Sequence, residues 1–243
     1  MSHPLVHAEH VWDTVVSIHL GGEDLPTQQA ALTAIVAWLH HVDEVFSSFR
    51  ADSVLCRWQR GELTATPELQ EVLDIAVRVE ELTEGYFDLH WNGVADPTGI
   101  VKGWAVDRAV GIATRHGIRD LMINAGGDLS TRGSRGNGQP WRVGIADPAD
   151  ATTIIAIVNG YDLNVATSGP SERGEHIRCR EPRTALAASV CGPDLVFTDG
   201  IATAAISAGG KAIDLLTELD GQGWSSQLLL EDRTLWRSAG WGR

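Results

Sequence analysis

Apolar residues along this chain recur first at helical spacing, then at strand spacing, then at helical spacing again. Val11, Val15, Ile18 and Leu20 alternate loosely and predict a strand. From Pro26 onward, Leu32, Ile35, Val36, Leu39, Val42, Val45 and Phe46 recur at three and four, an amphipathic helix with proline in its first turn. A second helix starts at Thr66-Pro67, a capping residue followed by proline. It runs through Leu69, Val72, Leu73, Ala76, Val77 and Leu82 until Gly85 stops it. A third follows Lys102, with Val106, Ala109, Val110 and Ala113 inward and Gly117 as its stop. The period then changes: 121–124, 141–145, 153–158, 163–166 and 188–191 are short, β-branched and separated by turns. Residues 133–140 predict a hairpin tip. Helices over 198–208 and 211–219 and a late strand at 227–231 complete the pattern. Helices early, strands in the middle and helices again predict an α+β fold, read as one domain over 1–243.

The 243 residues suffice for a real core, and 43% hydrophobic with 21% charged residues is globular composition. Net charge is −13, from 32 acids against 19 bases. A nucleic-acid partner would want the opposite sign. A bound anion must therefore be held by a local site, with or without a metal. No stretch has the length and apolarity of a membrane span, and the first ten residues lack the basic start and apolar run of a signal peptide. A cytoplasmic protein without a membrane anchor is expected. Cys56, Cys179 and Cys191 form no CxxC pair and predict reduced, largely buried thiols.

Four punctuations could carry chemistry. In Asp96-Pro97-Thr98-Gly99-Ile100-Val101-Lys102-Gly103, a Pro/Gly turn delivers a lysine to the expected start of a helix. Backbone N–H groups and a cation at such a place suit a phosphorylated ligand. Asn124-Ala125-Gly126-Gly127-Asp128 ends a strand; its glycines allow close backbone approach or serve a tight turn. Ala166-Thr167-Ser168-Gly169, with His176 nearby, offers hydroxyls and a base, although an ST-turn with a surface histidine has the same composition. In Thr198-Asp199-Gly200-Ile201-Ala202-Thr203, Asp199 and Thr203 share one helical face and suit Mg²⁺; Thr198 or Asp199 could equally be the helix cap.

In this order the motifs resemble the ApbE family, the FAD:protein FMN transferases, over most of the chain. Gly99-Ile100-Val101-Lys102-Gly103-Trp104-Ala105-Val106-Asp107 is similar to the family's Gly-Ile-Ala-Lys-Gly-Tyr-Ala-Val-Asp signature. Phe49-Arg50-Ala51-Asp52-Ser53 resembles its early flavin loop, and Gly85-Tyr86-Phe87-Asp88 its Gly-x-Phe-Asp element. The Gly126-Gly127-Asp128 turn, the strand from Trp141 to Pro148, Thr167-Ser168-Gly169 with His176-Ile177, and Asp199 with Thr203 match further blocks.

The resemblance implies mixed or antiparallel sheets flanked by helices, with an FAD cleft between subregions. It also implies transfer of FMN from FAD to a threonine or serine hydroxyl of an acceptor protein, releasing AMP. On this chain Asp199, Thr203 and the Gly99 carbonyl would hold Mg²⁺. Lys102 would sit at the pyrophosphate, and His176 would be the base. Ser53, Asp88, Gly99, Gly126, Gly127, Asp128, Thr167, Ser168 and Gly169 would contact FAD. The family's Met-Gly-Thr is Trp12-Asp13-Thr14 here, its Ser-Glu pair is Ser53-Val54, and its Pro-Arg-Thr-Gly is Pro182-Arg183-Thr184-Ala185. These departures predict altered flavin contacts beside an intact metal and lysine set. An FAD pyrophosphatase giving FMN and AMP, and a flavin-binding protein without turnover, are the rival readings.

Overall fold

The computed structural model describes residues 3–136, 138–169 and 180–242. Where alternation predicts one strand, the chain forms a hairpin. Strand β1 (Leu5–Val11) turns through Trp12 and Asp13 into β2 (Thr14–Gly21), with Val11 opposite Thr14. Both turn residues are left-handed, at φ 58° and 53°, a two-residue geometry that matches strand twist. Val11 thus ends the first strand and does not begin the second.

Helix α1 (Leu25–Phe46) is capped by Asp24, whose carboxylate accepts from Thr27 N at 2.9 Å. A short helix that periodicity cannot register, α2 (Val54–Gln59), follows its cap Ser53. Helix α3 (Pro67–Leu82) begins at the expected Thr66 cap, where Thr66 Oγ1 accepts from Leu69 N at 3.2 Å. Helix α4 (Thr98–Arg115) starts four residues before Lys102, so the lysine lies in its second turn and not at its start. The cause is Asp96, whose carboxylate accepts from Thr98 N at 3.0 Å and opens the helix there.

Strands β3 (Asp120–Ala125), β4 (Asp128–Arg132), β5 (Trp141–Asp147), β6 (Asp150–Gly160), β7 (Asn164–Ser168) and β8 (Ala185–Cys191) form the middle of the chain. Residues 133–140 join β4 to β5, which do not pair, so this segment links two sheets and is not a hairpin tip. Helix α5 (Leu195–Ser207) is capped by Asp194, whose side chain accepts from Phe197 N at 2.9 Å. Thr198 and Asp199 are therefore inside the helix, and neither caps it. Helix α6 (Ala212–Asp220), β9 (Ser225–Leu230) and β10 (Leu235–Arg237) close the fold.

The larger sheet runs β1-β2-β3-β4-β7-β8-β9-β10, with every neighbouring pair antiparallel. Beneath it, Ile35 and Leu39 of α1, Leu69 of α3, Ile100 of α4 and Leu195 and Ile201 of α5 join Ile18 and Ile123 in one apolar core. Each such side chain contributes roughly 1.5–3 kcal/mol of burial. Strands β5 and β6 form a separate ribbon, docked through Ile145, Val158 and Val165 and by an ion pair between Asp147 and Arg233 of the β9–β10 turn. Among the described residues no helix is long and apolar enough to cross a membrane. Cys56 and Cys191 are free and half-buried, and burial pushes the Cys191 thiol up to about 12. Cys179 lies outside the described residues.

Candidate functional site

A cleft of about 1040 Å³ opens between the β5–β6 ribbon, the ends of β3 and β7, and helices α4 and α5. That is the scale of a pocket for a large organic ligand. Four of the sequence motifs converge there, although they are separated by tens of residues along the chain.

Helix α4 brings Gly99 and Lys102 to the cleft. Gly99 lies close beside α5, since a Cβ built on it would stand 3.8 Å from Thr203 Cγ2. Lys102 Nζ pairs with Asp128 Oδ2. Asp128 is 0% exposed, so a buried carboxylate fixes the lysine from beneath. Asp128 itself is not among the cleft-lining residues; it stands behind the wall as the counter-charge of Lys102.

Gly126 and Gly127 form the two-residue turn of the β3–β4 hairpin, at φ 61° and 102°. The left-handed pair is what such a turn demands. Asn124 Oδ1 accepts from Gly127 N at 3.1 Å and stabilises the tip, which lies between Thr14 and Thr167. Thr167 and Ser168 end β7. Their hydroxyls bond Ser189 Oγ at 3.0 Å and Thr203 Oγ1 at 3.2 Å, and Gly169 continues the cleft wall.

Asp199 and Thr203 share the cleft-facing side of α5, as the four-residue spacing predicts. Asp199 is 2% exposed, and its Oδ2 accepts from Gly103 N at 3.0 Å. Gly103 permits this approach, because a Cβ there would lie 2.7 Å from Leu195 O and 2.9 Å from Asp199 Cβ. One turn further along α4, Asp107 Oδ2 accepts from Leu195 N and Val196 N, each at 3.0 Å, at the N-terminus of α5. Burial raises the Asp107 carboxyl to about 6, against the lowering effect of those two N–H bonds.

Asp88 also lines the cleft, with Oδ1 accepting from His90 N at 2.9 Å. Ser53 does not join these groups. It is 1% exposed, stands away from the cleft lining, and caps α2 by accepting from Cys56 N at 3.1 Å. His176 lies outside the described residues. Sequence reasoning missed Arg180, Tyr86 and Phe87 of the lining as individual contributors. Tyr86 and Phe87 stood inside a recognised motif, whereas Arg180 carried no local signal.

The metal donors that the sequence suggests, one carboxylate (Asp199), one hydroxyl (Thr203) and one backbone carbonyl (Gly99), all belong to residues of the cleft lining. Among the described residues no cluster of three His, Cys, Asp or Glu side chains forms a metal cage. An oxygen set with a single carboxylate fits Mg²⁺, which retains waters and takes substrate oxygens, and does not fit zinc.

The ApbE family model matches residues 12–97 and 92–223. An FAD:protein FMN transferase of Rhodobacter capsulatus is 29% identical over 194 residues, covering 72% of this chain and 34% of that protein. One from Salmonella typhimurium is 36% identical over 93 residues, 37% of this chain and 24% of that protein. The chain thus spans about a third or less of the length of these relatives, and 77% of the length of an FAD:protein FMN transferase of Haemophilus influenzae that is 20% identical over 267 residues. The solved ApbE protein of Thermotoga maritima is similar in fold, with a TM-score of 0.85 at 21% identity, covering 98% of this chain and 97% of that one.

Proposed function

Because the chain belongs to the ApbE family, we propose that it transfers FMN from FAD to a threonine or serine hydroxyl of an acceptor protein, releasing AMP, with Mg²⁺ required. The observation that carries this reading is the convergence of Gly99 and Lys102, Gly126 and Gly127, Thr167 to Gly169, and Asp199 with Thr203 on one cleft.

Asp199, Thr203 and the Gly99 carbonyl would hold Mg²⁺, an oxygen set of the kind that ion accepts. When bound, the ion supplies positive charge and alignment at the phosphoryl oxygens. Lys102, fixed by Asp128, adds a cation at the pyrophosphate. The glycine turn at 126–127 and the hydroxyls of Thr167 and Ser168 line the cleft for phosphate and ribose oxygens, with Asp88 on another wall. Ser53 supports its loop from behind as a cap. His176 takes the proton of the attacking hydroxyl. The acceptor oxygen bonds to the phosphorus of the FMN half, and the bond from that phosphorus to the bridging oxygen breaks. The electron pair leaves with AMP.

The experiment titrates FAD by flavin fluorescence with Mg²⁺ and with chelator, then analyses products with and without an acceptor. AMP formed only with Mg²⁺, together with flavin attached to the acceptor, supports the reading. Free FMN and AMP without dependence on any acceptor would identify a pyrophosphatase using water. Tight FAD binding without AMP under any condition would leave a binding protein.

A further inference from the structure

Two cations stand among the described residues that line the cleft, Lys102 and Arg180. Lys102 is matched by the buried carboxylate of Asp128. Arg180 is exposed and has no carboxylate within ion-pair distance among the described residues. We propose that Arg180 is a pyrophosphate-binding residue that selects the dinucleotide by its phosphates; the inference rests on the flavin-transferase reading of this site.

The position of Arg180 is built from both sides of the cleft. Its backbone N–H donates to Ser207 O at 3.0 Å, at the C-terminal end of α5. Ser207 lies four residues beyond Thr203, roughly 6 Å along the helix, and both line the cleft. The face that carries Asp199 and Thr203 therefore runs on to the point where Arg180 is anchored. Across the cleft, Arg180 Nη1 donates to Gly85 O at 2.6 Å, at the turn that leads into Tyr86, Phe87 and Asp88. That turn is shaped around the guanidinium. Gly85 has φ +78°, and a Cβ on it would stand 2.8 Å from Arg180 Nη1.

A guanidinium carries five donors in a planar fork, and Gly85 O is its one described side-chain partner. The remaining fork suits two phosphate oxygens at once, which an ammonium cannot match. Charge points the same way. Asp88, Asp96, Asp147 and Asp199 line the cleft, the chain carries −13, and Lys102 is already compensated. An anionic ligand entering there gains from a second cation, and among the described lining residues Arg180 is that cation.

The test compares wild type, Arg180→Gln and Arg180→Lys by FAD fluorescence titration in chelator, by displacement of FAD with inorganic pyrophosphate, and by thermal melting without ligand. Expected are a fall of tenfold or more in affinity for both FAD and pyrophosphate in Arg180→Gln, an intermediate loss in Arg180→Lys, and an unchanged melting temperature. Wild-type affinities in Arg180→Gln would overturn the proposal. So would an FAD loss without a matching pyrophosphate loss, or a loss explained by a lowered melting temperature. Wild-type protein that does not bind FAD at all would remove the flavin-transferase reading as well, which distinguishes the two failures.

Discussion

The backbone N–H of Gly103 donates to the Asp199 carboxylate across 3.0 Å, joining α4 to α5 where both helices reach the cleft. The bond sets the orientation of a carboxylate that is almost wholly buried, and burial alone would disfavour its charge. A charged acceptor receiving a backbone N–H in such a place is worth more than a neutral pair. The lysine motif and the aspartate motif, nearly a hundred residues apart, therefore act as one structural unit.

Replacing Asp199 by Asn keeps the volume and leaves one oxygen for Gly103 N–H, while removing the charge. AMP release should fall about 100-fold or more, on the scale of losing one preorganised electrostatic group. The melting temperature should stay close to wild type. Product analysis across a Mg²⁺ series checks this, and undiminished turnover with ordinary Mg²⁺ dependence would remove Asp199 from the metal set.

Gly103→Ala tests the helix contact itself. The new Cβ would meet Leu195 O at 2.7 Å, Asp199 Cβ at 2.9 Å and Val196 Cα at 3.0 Å, of which two are backbone atoms that cannot rotate away. Overpacking of this kind costs roughly 1–3 kcal/mol. Gly111→Ala is the control on the same helix: its Cβ would meet only the flexible end of Arg115 at 3.4 Å, and it should stabilise by about 0.5–1 kcal/mol. Opposite shifts in urea midpoint are expected. Equal shifts would mean that the α4–α5 contact is not tight.

These contacts explain which parts of the molecule could be read in advance. The α1 and α3 helices were legible because long apolar stripes and Pro-led first turns sit in sequence. The strand β4 was not. Its Ser130 and Thr131 are fully buried, with hydroxyls that bond Asn164 and Tyr161 O, so its core positions look polar. The β1–β2 turn uses Trp12-Asp13 in left-handed conformations that Asn-Gly normally marks. At the site, the Asp199–Thr203 spacing was local and therefore readable. The role of Asp128 beneath Lys102, and the placing of Arg180 between Gly85 and Ser207, are tertiary facts with no spacing to betray them.

Lys102→Met should separate the lysine's two duties. It deprives the buried Asp128 of its described cation, and breaking a buried pair from one side costs roughly 3–5 kcal/mol. Adding Asp128→Asn should restore much of that stability, because the buried negative charge that Lys102 balanced is then gone. FAD affinity should remain low in the double variant. Urea unfolding and flavin titration on the three proteins check the pattern; recovered FAD affinity would show that Lys102 serves only the fold.

Asp107 sets burial against helix polarity in a measurable way. Its carboxylate faces two N–H groups at the start of α5, where negative charge gains about 0.3–2 kcal/mol. Burial outweighs this and lifts the group from 3.8 to about 6. The native state therefore holds the Asp107 proton more tightly than the unfolded chain does. The resulting stability is fully present below the unfolded value near 3.8, and is lost as pH rises through about 6. The difference is worth roughly 3 kcal/mol at most. Asp107→Asn keeps an oxygen acceptor for the α5 N–H groups and cannot ionise, so it should escape that loss. Urea unfolding at pH 7.5 should find the variant at least as stable as wild type, with its advantage shrinking toward pH 4.5. A variant weaker than wild type at pH 7.5, by a margin that does not change on acidification, would mean that the helix terminus prefers the charge and that burial does not dominate.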